Sequence, residues 1–316
     1  MKTISILIPT YNEEENIALL YKAIVKEFLD NLPNYVYEIV FIDNCSKDNT
    51  RQEIQKICAE DKNVKAIFNA KNFGQMNSPY YGICQTTGDC TIAMCADFQD
   101  PIEMIHKFVR EWENGYRIVI GIKSKSKENK LMYLLRSIYY KLIRKYSDVE
   151  QIEHFTGFGL YDRAFVDVLR KLEDPMPYLR GIVAELGFER KEIEYVQAKR
   201  LHGKSKNNFY TLYDAAMLGF TSYTKILMRL ATMLGFVISV LSFLVGLVYL
   251  ILKLIFWSNF PAGMAPIVIG FFFIGAIQLL FIGLLGEYIL NINLRVMKRP
   301  LVVEDRRINF DEDKQL

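Results

Sequence analysis

The stretch Ala93-Met94-Cys95-Ala96-Asp97-Phe98-Gln99-Asp100-Pro101-Ile102-Glu103 holds residue types that could do chemistry. Residues 91–95, largely apolar, read as a strand, which puts Asp97 just past a strand's carboxyl end. A carboxylate there is placed to hold a divalent ion, with Gln99 as a second oxygen donor. Asp100 before Pro101, with Glu103 following, has the form of a helix start: an N-cap acid, a proline at the first helical position and a capping-box acid. That form accounts for Asp100 but leaves Asp97 without a structural duty.

Two other polar clusters follow apolar runs. In Pro9-Thr10-Tyr11-Asn12-Glu13-Glu14-Glu15-Asn16, Thr10 and Glu13 have the spacing of a capping box. In Asp43-Asn44-Cys45-Ser46-Lys47-Asp48, Asp43 is placed to hydrogen-bond a nucleotide base or ribose, while Ser46 or Asp48 suits a helix cap.

These clusters need a scaffold, and the flanking pattern supplies one. Residues 4–9, 38–43, 64–68, 91–95 and 117–122 read as strands, several almost continuously apolar, as strands covered on both faces must be. Helical patterns near 13–28, 49–59, 74–85 and 102–114 lie between them. This βαβα order predicts a doubly wound, mostly parallel α/β sheet, in which ligands bind beyond the carboxyl ends of the strands.

Beyond this unit the composition changes. Residues 230–252 and 264–286 are apolar and uncharged, each about 23 residues and long enough to cross a bilayer core of about 30 Å. Lys225 and Arg229 precede the first stretch; Arg295, Lys298, Arg299, Arg306 and Arg307 follow the second; the link through Trp257 has only Lys253 at its edge. The basic flanks predict a membrane hairpin with both termini and the α/β domain in the cytoplasm. The boundaries expected are a domain over 1–205, a juxtamembrane amphipathic segment over 206–229, two spans within 230–290 and a cytoplasmic basic and acidic tail over 291–316, polar and poorly ordered from Glu304 on. Leu131, Leu134, Leu135, Ile138, Tyr139, Leu142, Ile143 and Tyr146 recur at helical spacing, suited either to packing on the sheet or to lying on a membrane surface.

Other features exclude more than they assign. The net charge of +3 gives no reason to invoke nucleic acid. The N-terminus becomes polar too soon for a signal peptide and reads as a first strand. The five cysteines, Cys45, Cys58, Cys84, Cys90 and Cys95, form no C-x-x-C pair and suit a reducing compartment, all but Cys95 as small core or near-core residues. Gly203-Lys204-Ser205 lacks the first glycine of a phosphate loop, since position 198 is alanine.

Residues 9–15, Asp43-Asn44-Cys45-Ser46, Asn72-Phe73-Gly74 and residues 95–103 together resemble family 2 glycosyltransferases with the GT-A fold. Within these the chain is similar to the polyprenyl-phosphate branch, the dolichyl-phosphate mannose synthases and bacterial bactoprenol glucosyltransferases. Further matches are residues 154–163, Tyr178-Leu179-Arg180-Gly181 and Arg200-Leu201-His202-Gly203-Lys204-Ser205-Lys206. The resemblance implies that Pro9, Tyr11, Glu13, Asp43 and Gly74 surround a nucleotide. It implies that Asp97 and Gln99 hold Mg²⁺ or Mn²⁺ on the donor diphosphate. Lys123, Lys125, Arg136, Arg200, Ser205 and Lys206 would then hold donor and lipid phosphates, with Asp97, Arg200 and Lys206 at the reacting centre. One departure is Cys95-Ala96-Asp97, where dolichyl-type members carry Asp-x-Asp; it fits the bactoprenol type and thins the metal site, because a thiol is a poor ligand for hard Mg²⁺.

The function implied is inverting transfer of a sugar from a nucleotide-sugar, UDP-glucose or a UDP-N-acetylhexosamine, to undecaprenyl phosphate at the cytoplasmic membrane face. The partners implied are that donor, the polyprenyl phosphate, membrane lipid, further copies in a tetramer, and a separate flippase and downstream transferase. The alternatives are a nucleotide-sugar sensor or scaffold without turnover, motivated by Cys95, and a processive polysaccharide synthase, for which a Q-x-x-R-W-type motif is missing.

Overall fold

A computed structural model describes residues 1–124, 152–172, 174–198, 200–201, 233–238, 264–297 and 299–310, with positions 240, 241, 244, 248, 251, 254 and 255. Lys125, Arg136, Ser205 and Lys206, the amphipathic segments around 131–146 and 206–229, and much of the first apolar stretch lie outside the described residues.

The apolar runs form the expected strands: β1 Lys2–Thr10, β2 Tyr35–Asp43, β3 Val64–Asn69, β4 Cys90–Ala93 and β5 Ile118–Lys123. Between them lie α1 Glu14–Asn31, α2 Thr50–Glu60, α3 Gly74–Gln85 and α4 Met104–Glu113. Alternation along the strands sends side chains to opposite faces. Ile4, Ile6 and Ile8 pack with Ile17, Leu20, Ile54 and Phe108 from α1, α2 and α4. Leu7, Val40 and Ile42 face the other way, onto Tyr80 and Ile83 of α3. Each such fully buried aliphatic side chain contributes about 1.5–3 kcal/mol of burial energy. The sheet is therefore covered on both faces, as the apolar runs required.

Three more strands and two short helices complete the domain. β6 Phe155–Asp162 leads into α5 Arg163–Leu172, followed by α6 Leu179–Glu185 and β7 Arg190–Tyr195. The eighth strand, β8 Glu304–Ile308, comes after a long helix, α7 Met264–Val296. The sheet order is β7-β5-β6-β4-β1-β2-β3-β8. β1, β2, β3 and β4 pair in parallel and so do β5 and β7, whereas β6 runs antiparallel to both its neighbours and β8 antiparallel to β3. The sheet is thus mixed but mostly parallel, with β6 and β8 the two strands that run against the rest. Its parallel half keeps the switch point between β1 and β4, where ligands bind in such folds.

The tail from Glu304, expected to be poorly ordered, corrects the sequence reading most clearly. Arg306 and Arg307 face Phe68 and Ile67 across the β3–β8 ladder. Arg307 binds Glu304, Tyr81 and Gln85, and the Asn309 amide donates to the carbonyls of Cys58 at 2.7 Å and Val64 at 2.8 Å. Its charges found partners on the sheet edge, so a polar composition did not mean a loose chain. Two cations counted as membrane-flanking are therefore held in the domain.

The predicted capping boxes are not formed. Thr10 ends β1 with its hydroxyl on the Ile42 carbonyl at 3.3 Å, and α1 starts at Glu14 without a side-chain cap. α4 starts at Met104, four residues past Asp100, and its N-cap Glu103 makes no side-chain cap bond. Asp48 does serve the start of α2, accepting from the Thr50 amide at 3.1 Å and hydroxyl at 2.6 Å.

α7 takes in the second apolar stretch and runs ten residues beyond it. One helix among the described residues is long and apolar enough to cross a membrane, over Phe273–Leu290 with mean hydropathy 1.9. Phe271, Phe273, Leu279 and Ile282 project from it exposed. Most described residues of the first apolar stretch, among them Met233, Phe236 and Leu244, are exposed as well.

Candidate active site

The polar residues after β1, β2 and β4 converge at the carboxyl ends of these adjacent strands. Main-chain bonds join them: the Asn44 amide donates to the Thr10 carbonyl at 2.9 Å, and that of Met94 to Leu7 at 3.1 Å. Each loop contains a non-glycine residue in the left-handed region: Asn12 at φ 54°, Cys45 at φ 64° and Phe98 at φ 59°. Such a conformation costs about 1–3 kcal/mol and persists only where neighbours fix it. Here they do. The Asn12 amide donates to Ser46 Oγ at 2.8 Å, and Asn12 Oδ1 accepts the Lys47 amide at 2.7 Å. Asp97 Oδ1 accepts the Gln99 amide at 3.1 Å, closing a turn around Phe98.

Asp97 is 4% exposed, and its second oxygen pairs with Arg200 Nη2 at 3.0 Å. Arg200 rides on a strap that docks by main-chain bonds, from the Ala198 amide to the Gln99 carbonyl at 3.3 Å and the Leu201 amide to the Asp97 carbonyl at 3.4 Å. Tyr195 at the end of β7 anchors that strap: its hydroxyl donates to Asp100 Oδ1 at 3.2 Å, and its carbonyl accepts the Ser124 amide at 3.0 Å. Asp100 Oδ2 accepts the Cys95 amide at 2.9 Å. Asp100 therefore holds the loop to the strap rather than capping a helix. Burial raises its pKa, and Asp97 adds to that, against the opposing bonds from Cys95 and Tyr195.

Cys95 is exposed at its surface yet lies deep among protein atoms. Desolvation, then the charges of Asp100 and Asp97, hold its thiol protonated well above the ordinary range. Cys45 and Cys84 are partly buried, Cys58 and Cys90 fully so, and all five cysteines are free.

Asp43 is completely buried, its carboxylate taken by Arg51 Nε at 2.6 Å and by the Ser46 amide at 3.1 and 3.3 Å. Arg51 also donates to the Asn69 carbonyl at 2.6 Å and reaches Asp305 of β8 at 3.4 Å. Asn44 Oδ1 accepts from the Asn69 amide nitrogen at 3.1 Å and the Phe73 main-chain amide at 2.8 Å, while its own amide donates to Asn72 Oδ1 at 2.9 Å. These bonds shape the turn that enters α3 at Gly74, whose φ of 88° suits glycine.

The structure thus brings Asp97, Gln99 and Arg200 together; Pro9 lies within β1, opposite Ile42 of β2, and Tyr11 and Glu13 stand on the loop that follows β1. Lys123 lies at the end of β5, its amide on the His154 carbonyl at 3.3 Å. Arg51, Tyr195 and Asn44 were missed as organisers of the site. Asn44 had a signal, its place directly after a strand-end aspartate; Arg51 had none within a polar helix. Tyr195 ends a strand too charged to be recognised.

The chemistry of this set is charge management for anions: one buried carboxylate, the side-chain amide of Gln99 and a guanidinium at a switch point. Among the described residues no three His, Cys, Asp or Glu side chains gather to hold a metal ion. That donor set fits a cation that arrives with a phosphate ligand, because Mg²⁺-type ions bind through one or two carboxylates plus substrate phosphates and keep several waters.

Residues 5–169 match the family model described as glycosyl transferase family 2. The chain is 34% identical over 298 residues to the bactoprenol glucosyl transferase of Shigella phage SfX, covering 94% of this chain and 97% of that one. It is 33% identical over 304 residues to a prophage bactoprenol glucosyl transferase homolog of Escherichia coli K12, covering 96% and 98%. Among solved structures it is similar to a mannosyltransferase from Pyrobaculum calidifontis in complex with GDP-Man and Mn²⁺, with TM-score 0.46, 16% identity and coverage of 68% and 60%. By the domain match and the two relatives, the chain belongs to glycosyl transferase family 2, in its polyprenyl-phosphate branch.

Proposed function

We propose that this enzyme transfers one sugar, with inversion, from a nucleotide-sugar to undecaprenyl phosphate at the cytoplasmic face of a membrane. The observation that carries the reading is the Asp97–Arg200 pair at the sheet's switch point, in a chain that also presents an exposed apolar helix of bilayer length. The relatives named bactoprenol glucosyl transferase favour glucose as the sugar; the donor in this reading is UDP-glucose, with a UDP-N-acetylhexosamine the nearest substitute.

The acceptor needs little activation. A phosphate monoester has its second pKa near about 6 and is largely dianionic at neutral pH, so no dedicated general base is required. The protein's task is to let two anions meet and to stabilise the charge that grows on the departing diphosphate. Asp97 and Gln99 would hold Mg²⁺ or Mn²⁺, which when bound supplies Lewis-acid stabilisation of that diphosphate. Arg200, with Lys206, Lys123, Lys125, Arg136 and Ser205, is assigned to the phosphates. Pro9, Tyr11, Glu13 and Gly74 are assigned to the nucleotide. Asp43 serves it indirectly, since Arg51 and Ser46 occupy its oxygens and its role becomes to fix the loop. Attack opposite the leaving group gives a β-linked product from an α-linked donor.

The membrane arrangement is supported by β8. If α7 crosses a bilayer, its ends lie on opposite sides. Residues 297–303 join it to β8 and reach at most about 25 Å, and β8 is zipped onto β3. The catalytic domain then lies on the side of the C-terminal end of α7. The domain is described as far as Leu201, so in this reading the chain crosses the membrane once more between the domain and α7. The apolar stretch 230–252 is the segment able to do so, which gives a two-span hairpin between a domain over 1–205 and a returning strand. A flippase, a downstream transferase and self-assembly into a tetramer complete the reading.

The test is transfer of labelled sugar from a panel of nucleotide-sugars to undecaprenyl phosphate by the full-length protein in detergent. A single lipid-linked sugar is expected, in a reaction abolished by chelation and in Asp97→Ala. A growing polymer would identify a synthase, and nucleotide-sugar binding without turnover a sensor.

A further inference from the structure

We propose that Arg200 is the placeholder for the divalent cation on Asp97, and that its transfer to the donor diphosphate makes metal and nucleotide bind together. The inference deepens the reading above and rests on it.

The geometry gives the guanidinium the position a cation needs. Asp97 is 4% exposed, one oxygen is committed to the Gln99 amide, and Arg200 holds the other at 3.0 Å. Asp100, the nearest other carboxylate in the loop, is committed to the Cys95 amide and the Tyr195 hydroxyl. A bare metal ion must therefore displace Arg200 to reach Asp97, and it gains few protein oxygens in return. The exchange leaves a guanidinium without an anion beside a new cation.

A nucleotide diphosphate changes that balance. It brings oxygens for the metal and an anion for Arg200, whose planar fork suits a phosphate as well as a carboxylate. The swap needs only the side chain to turn. The strap stays docked through Ala198, Leu201 and Tyr195, and the Arg200 side chain is 30% exposed, so it has room to move. Arg200 thus keeps Asp97 neutralised while the site is empty, and then serves the leaving group. The consequence is a coupling free energy between two ligands, which must be reciprocal.

Mn²⁺ binding to full-length protein in detergent, read by the electron paramagnetic resonance of free Mn²⁺ with and without UDP, tests this. Wild type should bind Mn²⁺ weakly alone and much more tightly with UDP. Arg200→Gln and Arg200→Met, either of which suffices if the other fails to fold, should bind Mn²⁺ alone about tenfold more tightly than wild type. Their enhancement by UDP should shrink by a similar factor. Arg200→Lys keeps a charge and should stay close to wild type. Neutral variants that bind Mn²⁺ alone no better than wild type, with UDP enhancement unchanged, would overturn the proposal and leave the metal-dependent reading standing. Wild type that takes up no Mn²⁺ even with UDP would bring down both.

Discussion

The two ends of the parallel strands each bury a carboxylate and treat it differently. At the amino ends, Glu38 accepts from Ser5 Oγ, from Lys65 Nζ at 2.6 Å and from the Thr87 amide and hydroxyl at 2.8 and 2.6 Å. At the carboxyl ends, Asp97 has one local amide and one guanidinium carried in from residue 200. Glu38 is saturated by four donors, one of them a main-chain amide fixed by the fold. Asp97 is balanced by a partner that can turn away. Burial alone does not mark a functional acid; an exchangeable counter-ion does.

Substituting both acids gives the widest separation. Asp97→Asn should lower sugar transfer about 10³-fold, roughly 4 kcal/mol of transition-state stabilisation, with a melting temperature close to wild type. Glu38→Gln should do the reverse: a stability loss of about 3 kcal/mol in denaturant unfolding, with turnover per folded molecule unchanged. If Asp97→Asn unfolds the protein, or Glu38→Gln abolishes turnover of folded enzyme, the contrast between the two ends fails.

The pH dependence sharpens it. Desolvation, the largest single influence, pushes Glu38 upward, but Lys65, Ser5 and Thr87 together bring its pKa below the ordinary 4.5. A depressed carboxylate contributes its stability in full above its ordinary pKa and loses it as pH falls through the depressed value. Wild type should therefore lose stability on acidification below about pH 4.5 more steeply than Glu38→Gln, as denaturant midpoints measured against pH would show. Parallel curves would mean that Lys65 and its neighbours do not favour the ionised form.

A smaller effect tests the strand that follows the membrane helix. Asn309→Ala removes two bonds that tie the chain after β8 to α2 and β3 and puts alanine at φ 61°. It should cost about 1–2 kcal/mol and raise the KM for donor more than it lowers kcat, because Arg51 links Asp305 to Asp43. The smallest effect belongs to Cys95→Ser. Its main-chain amide, which the substitution keeps, is what holds Asp100, so transfer should change by less than about threefold.

Legibility followed the same division. Ile4, Ile6, Leu7 and Ile8 announced β1, and comparable runs announced β2 to β5, because burial on both faces leaves a continuous apolar signature. β7, Arg-Lys-Glu-Ile-Glu-Tyr, and β8, Glu-Asp-Arg-Arg-Ile, lie at sheet edges where charges are tolerated, and β6 is broken by Gly157 and Gly159. Edge strands are specified by partners distant in sequence, and no local pattern reports those. At the site, the position of Asp97 was readable from strand grammar. Its pairing with Arg200 needed a fold that brings residues 97 and 200 together.

The most direct measurement is anomalous scattering from Mn²⁺ in crystals of the full-length protein grown with UDP. The account predicts a peak about 2 Å from an Asp97 carboxylate oxygen, with Arg200 turned onto the diphosphate. A peak elsewhere, with Arg200 still seated on Asp97, would contradict it.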